Sequence, residues 1–363
     1  MEIYDRLDRQ YQMFAKEYKE AAVRVLDSGW YVLGKELESF EREYAGYMDS
    51  RHCVGLNNGL DSLTLSLRAM GIGKGDEVIV PANTFIATVI GIVENGATPV
   101  FVEPDAYYNL DADRIEERIT QKTRAIIVVH LYGQAANMQK IRDIADRRQL
   151  RLLEDCAQAH TASFDGRTVG TWGDVGCFSF YPTKNLGAFG DSGAIITDSD
   201  EIADRMRMIR NYGCSQKYHN EVRGVNSRLD EMQAALLRVK LGHLKELIKA
   251  RRAVAGRYLE EIHNPAVLLP GVREGATHVW HLFVVRCQKR DRFQAYLQEK
   301  GIRTQIHYPI PPHLQKCYAD LGHREGEFPI TEQYAKEVLS LPLYNGMTDE
   351  EIQYVIDTVN AFR

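Results

Sequence analysis

Arg151-Leu152-Leu153-Glu154-Asp155-Cys156 reads as a buried strand that runs into acidic residues. Apolar runs of similar length flank it: Val78 to Pro81, Thr98 to Val102 and Ala125 to Leu131 before, Gly176 to Phe180 and Gly193 to Thr197 after. Runs apolar on both faces belong to sheets covered on both faces, and helical patterns fill most of the gaps between them. The expectation is an α/β fold, a large and mostly parallel sheet with helices on both sides. Asp155 falls at the carboxyl end of its strand, the edge at which such sheets bind ligands. An Asp after a strand also caps helices, so the position alone leaves both roles open.

The next strand leads into Ser179-Phe180-Tyr181-Pro182-Thr183-Lys184-Asn185-Leu186-Gly187, one lysine between a hydroxyl side chain and a flexible glycine segment. By itself this is an ordinary solvated lysine. A lysine amine attacks an aldehyde only as the free base, so a reactive one needs surroundings that lower its pKa. Together with Asp155, Lys184 fits pyridoxal phosphate, whose ring accepts electrons from a deprotonated substrate carbon when a carboxylate keeps its nitrogen protonated. The same cofactor needs donors for a dianionic phosphate and a flat partner for its ring. Asn57-Asn58-Gly59-Leu60-Asp61-Ser62-Leu63 follows the strand Cys53 to Leu56 and opens a helical run to Met70. Free N–H groups at a helix start suit a phosphate, and Ser179 adds a hydroxyl. Phe85, at the end of Pro81-Ala82-Asn83-Thr84-Phe85, is the candidate ring partner. An Asp-capped turn and a core phenylalanine are the competing readings of these two stretches.

Further blocks accompany these: Asp27 to Gly34, Asn58 to Leu63, Pro81 to Thr88, Glu154 to His160, Ser179 to Asp191, Asn226 to Glu231 and His307 to His313. In this order, nearly end to end, they resemble the DegT/StrS family of sugar-nucleotide aminotransferases, a branch of the fold type I pyridoxal phosphate enzymes. The resemblance implies that Lys184 bonds the cofactor aldehyde, Asp155 pairs with the pyridinium nitrogen and Gln158 bonds the ring hydroxyl. It also implies that Gly59, Leu60, Asp61 and Ser179 cradle the phosphate. Asn226 is expected to reach the phosphate of a neighbouring subunit, making the active site a property of a homodimer. From the residues alone, Asn226 only precedes a helix starting at Ser227, with Leu229, Met232, Leu236 and Val239 on one face.

Within the family the chain resembles the enzymes that aminate C3 of the hexose, since those that aminate C4 commonly carry His where Gln158 stands. The implied reaction moves an amino group from L-glutamate to C3 of a dTDP-3-keto-6-deoxyhexose, giving a deoxyamino sugar of the kind found in O-antigen or S-layer glycans. C4 amination of a nucleotide-linked 4-keto sugar is the alternative. Thr161, where the family usually has Gly, and Ser192, where it mostly has Gly or Ala, depart from the pattern. The loop from Tyr212 to Asn226 carries Lys217, His219 and Arg223, which the resemblance marks for the nucleotide diphosphate and which otherwise read as a solvated connection. His307, Tyr308 and His313 form a second candidate substrate cluster, or simply a strand end before a proline-stiffened turn.

The remaining composition sets bounds. The 363 residues suffice for a large domain over 1–245 and a smaller α+β domain over 246–363, in which His278 to Cys287 and Arg303 to Tyr308 read as strands. Lys plus Arg number 45 against 50 Asp plus Glu, so no broad basic surface invites nucleic acid or membrane. The six cysteines lack metal-ligand spacing and several lie in apolar runs, which predicts packed thiols, no disulfide and no metal. A mixed-charge amphipathic N-terminus predicts a cytoplasmic protein without a signal peptide.

Overall fold

The computed structural model describes Ile3 and residues 5–363. Seven strands form the main sheet: β1 (His52–Leu56), β2 (Glu77–Pro81), β3 (Thr98–Val102), β4 (Thr123–Val129), β5 (Arg151–Asp155), β6 (Val175–Ser179) and β7 (Gly193–Thr197). They lie in the order β1-β7-β6-β5-β4-β2-β3. Neighbours from β3 through to β6 pair in parallel, while β7 is antiparallel to both β6 and β1.

Strand alternation divides the core in two. Ile79, Val128, Leu152, Phe178 and Ile196 point to one face, where Leu37, Phe40, Met138, Ile141 and Leu237 come from helices. Val80, Ile127, Leu153, Cys177 and Ile195 point to the other, against Leu63, Leu67, Val89 and Met206. This is the pattern of a sheet buried on both sides. The helix Lys35–Tyr47 is fixed to the first face by Glu231, whose carboxylate accepts the N–H groups of Gly34 (2.8 Å), Glu36 (2.9 Å) and Leu37 (3.0 Å). A Cβ on Gly34 would sit 2.5 Å from the Trp30 ring, so that approach requires glycine.

A third core gathers Ile3 with Tyr258, Phe283, Phe293, Leu339, Val355 and Ile356. It surrounds the antiparallel pair β8 (Phe283–Arg286) and β9 (Val338–Leu341). Three expectations change here. The strand expected from His278 begins only at Phe283, because Trp280 takes a left-handed conformation (φ 49°) that interrupts extended pairing. Arg303 to Tyr308 forms no strand; its pairing with β9 is the single bridge Gln305–Ser340. The helix expected from Ser227 starts at Glu231, ends at Gly242, and is followed by a second helix, Leu244–Glu261.

Candidate active site

The carboxyl ends of β2, β5 and β6 bring the expected chemistry together. Asp155 ends β5 and is buried; Oδ2 accepts from the Thr88 hydroxyl (2.9 Å) and Oδ1 from the Ala157 N–H (3.2 Å). Since Thr88 donates to Asp155, the 2.8 Å contact between Thr84 and Thr88 has Thr84 as donor. Burial pushes the Asp155 pKa up, while Thr88, Ala157, Lys184 and His130 pull against it. Lys184 follows β6 in a turn closed by its own N–H to the Tyr181 carbonyl (2.8 Å). Burial pushes its amine down to about 8, against the pull of Asp155 in the opposite direction. A substantial free-base fraction is therefore available near neutral pH.

The glycine after this lysine serves packing rather than flexibility. A Cβ on Gly187 would lie 2.3 Å from the Pro182 carbonyl oxygen, so the turn closes only on glycine. A buried lysine, Lys240, donates to the Gly187 carbonyl (3.3 Å). Beneath the turn, His160 bridges the Tyr44 hydroxyl and the Ser179 carbonyl, both at 3.0 Å. A carbonyl can only accept, so Nε2 carries the proton and Nδ1 accepts from Tyr44; burial lowers the ring's pKa to about 3 and keeps it neutral.

Gln158 is oriented at both ends. Its Oε1 accepts the Tyr132 N–H (2.6 Å) and its Nε2 donates to the Tyr308 hydroxyl (3.0 Å). The Phe85 ring, about half exposed, lies 5.2 Å from that of Tyr308. His307 stands beside them, bonded through Nδ1 to Ser340 (2.8 Å) and pushed down to about 4 by burial and by Lys184. Gly59 and Ser179 meet at the expected phosphate cradle, where a Cβ on Gly59 would lie 2.6 Å from the Ser179 Cβ. Of the three residues at that helix start, Asp61 has its N–H taken by the Asn58 side chain (2.8 Å), and its carboxylate accepts from Ser227 (2.5 Å).

Other expected residues lie apart. Lys217 and His219 are exposed on a hairpin pairing Cys214–Gln216 with His219–Asn220, and Arg223 is exposed just after it. Asn226 is exposed too and donates to the Tyr212 hydroxyl (2.9 Å). His313 departs from its expected substrate role: it is buried among Phe101, Phe328 and Glu332, with Nε2 3.2 Å from the Glu332 carboxylate. Thr161, the departure from glycine, holds a left-handed φ of 69°, a conformation costly for a β-branched residue. Sequence reasoning missed Thr88 as the support of Asp155, although it lies in a block already singled out.

The residues fit pyridoxal phosphate: a depressed lysine, a buried carboxylate with acceptor capacity to spare, an oriented amide, a ring at the edge and a crowded glycine–serine cradle. Residues 12–360 match the DegT/DnrJ/EryC1/StrS aminotransferase family. The chain is 53% identical, over 98% of both sequences, to the dTDP-3-amino-3,6-dideoxy-alpha-D-galactopyranose transaminase of Aneurinibacillus thermoaerophilus. It is 48% identical to the dTDP-3-amino-3,4,6-trideoxy-alpha-D-glucose transaminase of Streptomyces venezuelae, over 98% of this chain and 94% of that one. The crystal structure of S. venezuelae DesV in complex with a ketimine intermediate superimposes with a TM-score of 0.96 at 48% identity, covering 98% of this chain and 96% of that one. The chain belongs to the DegT/DnrJ/EryC1/StrS aminotransferase family, and pyridoxal phosphate is its cofactor.

Proposed function

We propose that this aminotransferase moves the amino group of L-glutamate to C3 of a dTDP-3-keto-6-deoxyhexose, giving a dTDP-3-amino-3,6-dideoxyhexose. The observation that carries this reading is Lys184, depressed to about 8 beside the buried Asp155 at the carboxyl edge of the sheet. When bound, pyridoxal phosphate supplies the aldehyde that takes up the amine and the ring that stores the electrons left when a substrate carbon loses a proton. Asp155 holds a proton on the ring nitrogen, and Thr88 and Ala157 fix its carboxylate for that task. Lys184 Nζ takes the proton from the donor α-carbon in the first half-reaction and delivers one to the sugar carbon in the second. Gln158, held by Tyr132 and Tyr308, presents a neutral amide to the ring oxygen. Gly59, Leu60 and Ser179 receive the phosphate, and Phe85 covers the ring.

Support for C3 comes from Gln158 and from the names of the two relatives, both of them transaminases of dTDP-3-amino sugars. Offering the purified protein dTDP-3-keto and dTDP-4-keto sugars with glutamate, and locating the new amine by NMR, tests the assignment. Faster conversion of the 4-keto isomer would replace it with C4 amination. We further propose a homodimer in which Asn226, exposed on its own chain, completes the partner's phosphate site, with Lys217, His219 and Arg223 beside the diphosphate. Mixing inactive Asn226→Ala and Lys184→Ala subunits then restores activity in hybrid dimers; hybrids without activity would count against the shared site.

A further inference from the structure

A cavity of about 420 Å³ opens next to the lysine turn, walled by Thr183, Arg251, His281, His307 and Ser340. Two of its buried side chains have hydrogen-bonding capacity that nothing uses. Arg251, 6% exposed, donates from Nε to the Trp280 carbonyl (2.8 Å) and from Nη2 to those of His281 (2.7 Å) and Leu343 (2.9 Å). Its Nη1 makes no hydrogen bond, and no carboxylate lies within ion-pair distance of the guanidinium, among the described residues. His281, 5% exposed, has a buried Nδ1 with no partner. It is within Coulombic reach of both Lys184 and Arg251. Asp5 is the one acidic side chain of the wall and acts on Arg251 through space only.

A buried cation with no carboxylate in contact is unfavourable unless something pairs with it, and a free guanidinium N–H suits a carboxylate. Distance selects which anion belongs here. The α-carboxylate of an amino acid is attached directly to the carbon that must react at Lys184. A diphosphate attached to C1 of a sugar starts several bonds away from a reacting C3 and needs a more remote site.

We propose that this cavity binds the α-carboxylate of the amino donor, with Arg251 and His281 as its anchors and Thr183 as the wall next to Lys184. The assignment rests on the glutamate-donor reading above. It is tested on the holoenzyme with the two half-reactions separated. The first is followed by the cofactor's absorption on adding L-glutamate without sugar; the second starts from the amine form of the cofactor and adds the keto sugar. Arg251→Lys and His281→Asn should raise the glutamate concentration for half-maximal conversion by about 10- to 100-fold, the scale of a lost charge-assisted hydrogen bond. The keto-sugar requirement should stay where it is. Calorimetry supplies a readout without turnover: glutarate, a dicarboxylate with no amine, binds the wild type and is lost in His281→Asn. Arg251 also ties three carbonyls together, so if Arg251→Lys fails to fold, His281→Asn decides. An unchanged glutamate requirement in His281→Asn, or equal weakening of both half-reactions, overturns the proposal. A wrong choice of sugar would silence only the second half-reaction and leave the first readable.

Discussion

Glu154 and Asp155 are adjacent on β5 and both buried, yet they face opposite regions of the molecule. On the Glu154 side three donors converge: Oε2 takes the Gly170 N–H (2.7 Å) and the His130 ring (3.0 Å), and Oε1 takes the Gly173 N–H (2.7 Å). His130 Nδ1 accepts from the Ala136 N–H (3.1 Å), so its proton sits on Nε2, directed at Glu154. Cys156 joins these two in a group whose ligand atoms lie within 4.8 Å of one another, but both carboxylate oxygens already accept from protein donors. On the other side Asp155 receives only two donors and looks towards Lys184. An ionised carboxylate offers about four acceptor positions. Three donors, two of them backbone amides, mark the structural acid; fewer donors and a lysine in view mark the chemical one.

The largest expected effect lies on the Asp155 side. Asp155→Asn should lower transamination on the order of 10²–10³-fold, the scale of losing one preorganised electrostatic partner, while the urea midpoint stays near that of the wild type. A collapse of stability in that variant would erase the contrast between the two acids. Glu154→Gln should do the reverse. It turns a donor towards groups that already donate, so urea denaturation should show a loss of about 3 kcal/mol, with near-normal turnover in the molecules that remain folded.

The smallest effect sharpens the comparison through pH. With Lys184 depressed to about 8, its free-base fraction falls roughly tenfold for each pH unit below that value, and capture of pyridoxal phosphate by the apoprotein should slow accordingly. Asp155 raises this pKa, so Asp155→Asn should move the midpoint to lower pH, whereas Glu154→Gln should leave it in place. Capture rates measured from about pH 6 to about pH 10, roughly two units either side of the expected midpoint, check both signs.

The sheet was legible because apolar strands and their helices are local patterns. Arg151–Asp155 and Gly193–Thr197 match their expected spans, and Val175–Ser179 differs from its expected span by one residue at each end. Asp155 could be read because it ends such a strand, and Lys184 because it lies in the turn that follows the next one. What escaped depends on distant contacts. Arg251, from the helix Leu244–Glu261, and His281, just after the left-handed Trp280, line one cavity beside the lysine turn, a meeting of distant segments that no apolar run reveals. Arg303 to Tyr308 has strand-like composition, but its partner β9 already pairs with β8, leaving one bridge. His313 looked like a polar group at a cleft, and only its packing against Phe101, Phe328 and Glu332 gives it a different place.

The antiparallel strand β7 bears on how the chain is made. β1 joins the sheet only through β7, with His52 opposite Thr197 and Leu56 opposite Gly193, partners about 140 residues apart in sequence. At a synthesis rate of 5–20 residues per second, β1 leaves the ribosome roughly 7 to 30 s before its partner exists. Throughout that interval Cys53-Val54-Gly55-Leu56 is an apolar edge with unpaired amides, the kind of segment that associates with other nascent chains. Shielding of this segment by a chaperone during translation should therefore govern the yield of folded protein more than any contact within the catalytic cleft.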